Sequence, residues 1–213
     1  MSVKLDRKKH VYQSTKFNEI IKDTIRFFNG TPVHVLPPPD KFSGTGVYGL
    51  YYTGNFDQYK EETSRNRISY SSPIYVGKAV PQGWRQSRQT SNQKTSSELF
   101  RRLTEHSKSI ESSKNLTLDS FHCRFMILED ESIDLIGTIE AALIRQYLPI
   151  WNSTIDGFGN HDPGSGRYEQ AKSDWDVLHP GRHWASKCKG KSNPIDHIIH
   201  NLNNHYLQQG PNE

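Results

Sequence analysis

The chain has 213 residues, of which 33% are hydrophobic and 23% charged. That suits one domain with a small core and long polar excursions, with no need for disulfide staples. The formal net charge of +4 is mild, but the charges are segregated: nine Lys/Arg against two acids from Arg65 to Lys108, then seven acids against two bases from Asp119 to Asp156. A phosphate-binding segment and a cation-holding segment would give that pattern. Cys123 and Cys188, with no Cys-x-x-Cys pair, exclude a disulfide scaffold and a Cys-rich zinc site. No apolar run approaches the ~18 residues of a membrane span. The basic stretch Met1 to His10 lacks the apolar segment of a secretory signal, so a cytoplasmic protein is expected.

In chain order, Ile21, Thr24, Ile25 and Phe28 predict a helix over residues 18–28 with Asn18 as N-cap. Gly30 and the run Pro37-Pro38-Pro39-Asp40 end it in a stiff connector. Gly46 to Thr53, rich in aromatic and β-branched residues, reads as a strand. Residues 54–71 read as a polar loop, Pro73 to Gly77 as a second strand, and 78–95 as a second polar loop. Residues 96–112 predict a helix with Leu99, Phe100, Leu103 and Ile110 as its stripe and a Thr95/Glu98 capping box. Phe121, Cys123, Phe125 and Ile127 alternate as a third strand. Ser132 is expected to cap a helix to Leu148, with Ile136, Ile139, Leu143 and Tyr147 buried and Pro149 ending it. Four glycines and a proline make 156–170 a loop. Asn193-Pro194 starts a last helix whose apolar face is Ile195, Ile198, Ile199 and Leu202. The order predicts an α+β fold, a small sheet covered by helices.

Four features carry chemical potential. Tyr48 and Tyr75 sit mid-strand beside glycines. Arg102 and His106 are four apart and share a helix face. Glu140 lies on an apolar stripe, where a carboxylate needs a partner or a cation. Asn152 follows the helix stop in Pro149-Ile150-Trp151-Asn152. Taken singly, each has a plain structural reading: packing tyrosines, a solvated helix face, a structural ion pair and a turn residue.

Together, Gly46-Val47-Tyr48, then Tyr75-Val76-Gly77-Lys78, then Arg102 and His106, Glu140 and Asn152 in that order resemble the GIY-YIG nuclease superfamily over residues 46–155. Val replaces Ile in both tripeptides, and the loops 54–71 and 78–95 are longer than is usual. The resemblance implies a three-stranded antiparallel sheet flanked by helices and metal-dependent cleavage of DNA. More narrowly, the chain resembles type II restriction endonucleases of a subgroup that cuts the palindrome CCGCGG. It divides into an N-terminal arm (1–45), a nuclease core (46–155) and a C-terminal extension (156–213) with its helix, all within one domain.

Phosphodiester hydrolysis needs an activated water, a cation at the phosphate and support for the leaving oxygen. One carboxylate, Glu140, fits a single Mg²⁺ (Mn²⁺ as a substitute) that keeps several waters. The base is Tyr48 or His106. Tyrosine would need its pKa of ~10 lowered by ~2–3 units, with Lys78 and the metal as the available positive charges, whereas His106 needs no such tuning. Arg102 is expected on the scissile phosphate, Tyr75 on phosphate or water, and Asn152 on backbone near the catalytic tyrosine. Arg65, Arg67, Arg85, Arg88 and Lys94 in the two long loops are candidates to read a G/C-rich target, and Arg182, Lys187, Lys189 and Lys191 to track the DNA backbone. Cutting both strands of a palindrome calls for a homodimer. Two alternatives remain: an HNH-type nuclease built on His183, Asn193 and His197 with Asn160-His161-Asp162 nearby, and a non-catalytic DNA-binding module.

Overall fold

A computed structural model of the protein describes residues 5–81, 83–84 and 96–209. Four antiparallel strands, β1 (Val33–Val35), β2 (Gly46–Tyr52), β3 (Tyr75–Ala79) and β4 (Phe121–Ile127), form one sheet in the order β1-β4-β2-β3. The helices are α1 (Thr15–Gly30), α2 (Lys60–Ser69), α3 (Glu98–Ser112), α4 (Ile136–Tyr147), α5 (Ile150–Ser153), α6 (Asp174–Leu178) and α7 (Ile195–Gln209). None of the described helices is long and apolar enough to cross a membrane.

The sheet is sandwiched, and strand alternation decides which residue faces which side. Tyr48, Leu50 and Tyr52 of β2 join Phe121 and Cys123 of β4 in a core with Leu99 and Leu103 of α3, Trp151 and Trp175. On the other face, Val47, Val76 and Met126 pack with Phe28 of α1 and Ile136, Ile139 and Leu143 of α4. All seven residues of β2 are buried, as befits a strand covered on both sides.

Three expectations need correction. The sheet has four strands rather than three, because Val33–Val35 pairs with Arg124, Cys123 and His122. A three-residue strand between prolines carries too little alternation to be read. Residues 54–71 are not all loop, since α2 occupies Lys60–Ser69. Its only apolar residue, Ile68, faces solvent, while its buried side is polar. There Asn66 donates to the carbonyls of Tyr52 and Ser72 and accepts from Ser72 N–H, and Thr63 donates to the Gly54 carbonyl. Burial satisfied by hydrogen bonds leaves no hydrophobic period. The caps also differ. Ser14, not Asn18, caps α1 by accepting from Phe17 N–H. α4 begins at Ile136, after a 3-10 turn over Asp130–Leu135, so Ser132 does not cap it. Glu98 binds Arg101 instead of closing a capping box, and Thr95 lies outside the described residues.

Glu62 on the buried side of α2 is 3% exposed and accepts from the Tyr206 hydroxyl of α7. Burial pushes its carboxyl up to about 7. A raised acid binds its proton more tightly in the folded state, so its contribution is full below the ordinary carboxylate pKa and is lost as pH rises through 7. Glu62→Gln keeps an acceptor for Tyr206 and removes the titration. At pH 8 the variant is expected to be more stable than the parent by roughly 3 kcal/mol, with the gap closing below pH ~4.5. Urea unfolding of both proteins across that range checks this, and parallel pH curves would contradict it.

Candidate active site

β3 is an edge strand, and the candidate site wraps around that edge. Tyr48 and Tyr75 lie on the sheet face that carries α3. Lys78 leans to the other face, where its ammonium meets Glu140 of α4 at 2.5 Å. An open cleft of about 360 Å³ joins the two sides, lined by Tyr48, Tyr75, Lys78, Arg102, Glu140 and His161, with Glu98 and Arg101 at its border.

The glycine of the second tripeptide follows from this packing. Gly77 is the register partner of Tyr48, and a Cβ there would lie 2.5 Å from the Tyr48 hydroxyl and 2.9 Å from Tyr75 Cε1. Gly46 is fixed by a different close approach, since its Cβ would fall 2.0 Å from the Met126 carbonyl oxygen at a φ of +152°. Gly77 thus leaves room for two aromatic rings and Gly46 for the neighbouring backbone.

Tyr48 is fully buried and forms the floor of the cleft. Its hydroxyl lies 2.6 Å from Nε2 of His106, itself buried on α3. Burial raises the Tyr48 pKa well above 10, with Tyr75 and Glu140 adding to the rise and Arg102 opposing it. The expectation of a lowered phenol is thus reversed in the free protein, and Arg102 rather than Lys78 is the cation acting on Tyr48. Burial, then Arg102 and His161, push the His106 imidazole well below its ordinary value. In the tautomer with its proton on Nδ1, a neutral His106 accepts at Nε2 and the Tyr48 hydroxyl donates to it. Burial also raises Tyr75.

Arg102 is held from three sides: Glu105 at 3.0 Å, the Gly159 carbonyl at 3.3 Å and Nε2 of His161 at 2.5 Å. Asn152 on α5 sits where a further strand would pair with β3. Its Oδ1 accepts from Val76 N–H and its Nδ2 donates to the Val76 carbonyl, both at 2.8 Å, while Trp151 N–H binds the Ile74 carbonyl. This backbone clamp lies next to Tyr75 on β3.

Other expected residues do not enter the cleft. Arg65 donates to Gln209, and Arg67 to the Thr53 carbonyl and Asn55. Arg85, Arg88 and Lys94 lie outside the described residues. Arg182, expected on the DNA backbone, is buried against Asp176, and Lys189 pairs with Glu169. The residues of the HNH alternative are engaged locally: Asn193 donates to Asp174, and His197 meets Asn201 on its own helix. Sequence reading missed His161, Arg101 and Glu105 as neighbours of Arg102. For His161 the available signal was its place in a glycine-rich loop that can approach other backbone closely.

Among the described residues no three His, Cys, Asp or Glu side chains cluster to hold a metal. The donor set nevertheless suits a hard, hydrated divalent cation. Glu140 offers carboxylate oxygens to an open cleft, where substrate phosphate and water can supply the rest. No curated protein matches the chain's sequence. The family model for the Eco29kI GIY-YIG domain matches residues 40–206, a span that takes in the whole sheet except β1 and every side chain of the cleft. On that match, with its two tyrosines, arginine, histidine, glutamate and asparagine gathered at one sheet edge, the chain belongs to the Eco29kI GIY-YIG family of type II restriction endonucleases.

Proposed function

We propose that the protein is a Mg²⁺-dependent homodimeric endonuclease that hydrolyses both strands of duplex DNA at a palindromic G/C-rich site, CCGCGG. The observation that carries this reading is the convergence of Tyr48, Tyr75, Arg102 and Glu140 in one cleft, with His106 behind Tyr48. GIY-YIG nucleases generally use divalent metals, and Glu140 is the residue that would hold one ion per site, with Mn²⁺ able to substitute. When bound, that ion supplies Lewis-acid stabilisation of charge on the scissile phosphate.

The protein's own side chains do the rest. Arg102 presents a planar fork to two phosphate oxygens and keeps its orientation through Glu105 and Gly159. Tyr48 lines the inner end of the cleft, where an attacking water would sit against its hydroxyl. As Tyr48 takes the water's proton, its own passes to Nε2 of His106, so no phenolate has to form in the buried pocket beforehand. Tyr75 hydrogen-bonds phosphate or water. Lys78 holds the Glu140 carboxylate at the cleft and adds positive charge beside the phosphate, a role that replaces the tuning of tyrosine expected from sequence. Asn152 keeps β3 and hence Tyr75 in register.

Each copy carries one cleft, so a two-fold dimer places one on each strand of a palindrome. The arm (1–45) is the candidate interface. The core (46–155) carries the chemistry, and Arg65, Arg67, Arg85, Arg88 and Lys94 are its candidate base readers. Such an enzyme acts on DNA in the cytoplasm. Incubating plasmid with the protein and Mg²⁺, with and without EDTA, and sequencing the ends tests the reading. Double-strand cuts at CCGCGG that vanish with EDTA are expected. Binding without cutting would establish a DNA-binding module instead.

A further inference from the structure

Residues 157–161 form a strap that touches Tyr75 and Arg102 of the cleft and His106 behind it. The Phe158 ring lies flat on the His106 imidazole, with centroids 4.6 Å apart and planes at 18°, and meets Tyr75 edge-on at 5.0 Å. The Gly159 carbonyl and His161 both bind Arg102. The strap has no helix or strand of its own to fix it.

What fixes it is Arg182, 23 residues beyond Gly159 and 5% exposed. Its Nη1 donates to the carbonyls of Phe158 (3.0 Å) and Asn160 (3.2 Å), and its Nη2 to that of Gly157 (2.8 Å). Nε and Nη2 also bind the two carboxylate oxygens of Asp176 at 2.7 and 2.8 Å. The rings of Trp175 and Trp184 lie 4.5 and 4.7 Å from the guanidinium carbon. A buried ion pair alone is weak support for stability. Here the carbonyls of Gly157, Phe158 and Asn160 converge on one rigid fork, which fixes backbone geometry in a way a point charge cannot.

We propose that Arg182 is a positioning residue of the nuclease site: by gripping the 157–161 strap it holds Phe158 against His106 and Gly159 against Arg102. The C-terminal extension thereby completes a cleft whose other parts come from residues 46–155. This rests on the nuclease reading above. Displacing reacting groups by about 1 Å costs on the order of 100-fold in rate.

The test compares single-turnover cleavage of plasmid in Mg²⁺, enzyme in excess, for the full-length parent, Arg182→Lys, Phe158→Leu and Tyr59→Phe. Arg182→Lys keeps the charge opposite Asp176 and loses the fork. Tyr59→Phe breaks buried hydrogen bonds to His179 and from Trp151 Nε1–H in the same aromatic core and leaves the strap's carbonyls alone. Amplitude reports the folded fraction and the rate constant reports geometry. Rate constants at least ~30-fold lower are expected for the first two variants, with DNA affinity measured in Ca²⁺ changed less than about threefold and the Tyr59→Phe rate constant unchanged. A reduced amplitude or melting temperature with an unaltered rate constant in Phe158→Leu and Arg182→Lys would overturn the proposal. If Arg182→Lys does not fold, Phe158→Leu decides alone. A parent protein that does not cut takes down the nuclease reading itself, whereas a cutting parent with equally fast variants takes down only the strap.

Discussion

Glu140→Gln is expected to bind duplex DNA as well as the parent or better, and to cut it at least ~100-fold more slowly, a loss of about 2.7 kcal/mol of transition-state stabilisation. The substitution is nearly isosteric, so the stripe of Ile136, Ile139 and Leu143 beneath it stays packed. What changes is charge. The Lys78 ammonium loses its carboxylate partner at 2.5 Å, leaving one more positive charge facing the DNA backbone, which favours binding. The cleft loses the anionic oxygen that would hold a divalent ion. Gel shift in EDTA reads the first effect and single-turnover cleavage in Mg²⁺ the second. Near-parental cleavage would remove Glu140 from the chemistry, and lost binding would make it a structural partner of Lys78.

The second large effect is expected at Tyr48. Tyr48→Phe removes one oxygen atom from a fully buried ring and breaks the 2.6 Å link to His106. Cleavage should fall by roughly 10³-fold with DNA affinity retained, within the range of a lost general acid–base group. Because burial holds His106 well below the ordinary imidazole value, it is already neutral, and able to accept the relayed proton, at pH values where an exposed histidine would be charged. The acid limb of kcat/KM, which reports the free enzyme, should therefore fall below pH 6.5, the ordinary histidine value. An inflection at or above 6.5 would contradict the relay. His106→Ala more damaging than Tyr48→Phe would make the imidazole itself the base.

The parts of this fold legible in the sequence are those whose burial is apolar and periodic. The alternation of Phe121, Cys123, Phe125 and Ile127 marks β4 to the residue, and the stripes of α3, α4 and α7 place those helices within a few positions. α2 was illegible because Asn66, Thr63 and Glu62 enter the interior through hydrogen bonds, while Ile68 points outward. β1 was too short. At the site, the resemblance to the GIY-YIG pattern singled out Tyr48, Tyr75, Arg102, His106, Glu140 and Asn152, which the structure gathers at one sheet edge. It could not show that the phenol is pushed up rather than down, because that sign comes from complete desolvation, a property of packing. Nor could it tell buried Arg182 from the exposed lysines that follow it. Composition sees only a basic run, and the carbonyls that absorb its guanidinium come from residues 22 to 25 positions earlier.

The amide of Asn152 has a consequence beyond the register of β3. An uncovered outer strand offers its free N–H and C=O groups to any extended peptide and invites aggregation. Here one side chain occupies both groups of Val76 and the α5 backbone at Trp151 takes the carbonyl of Ile74. The stretch of that rim from Ile74 to Val76 is therefore closed to strand-to-strand stacking, and an extended peptide would have to displace Asn152 to pair there.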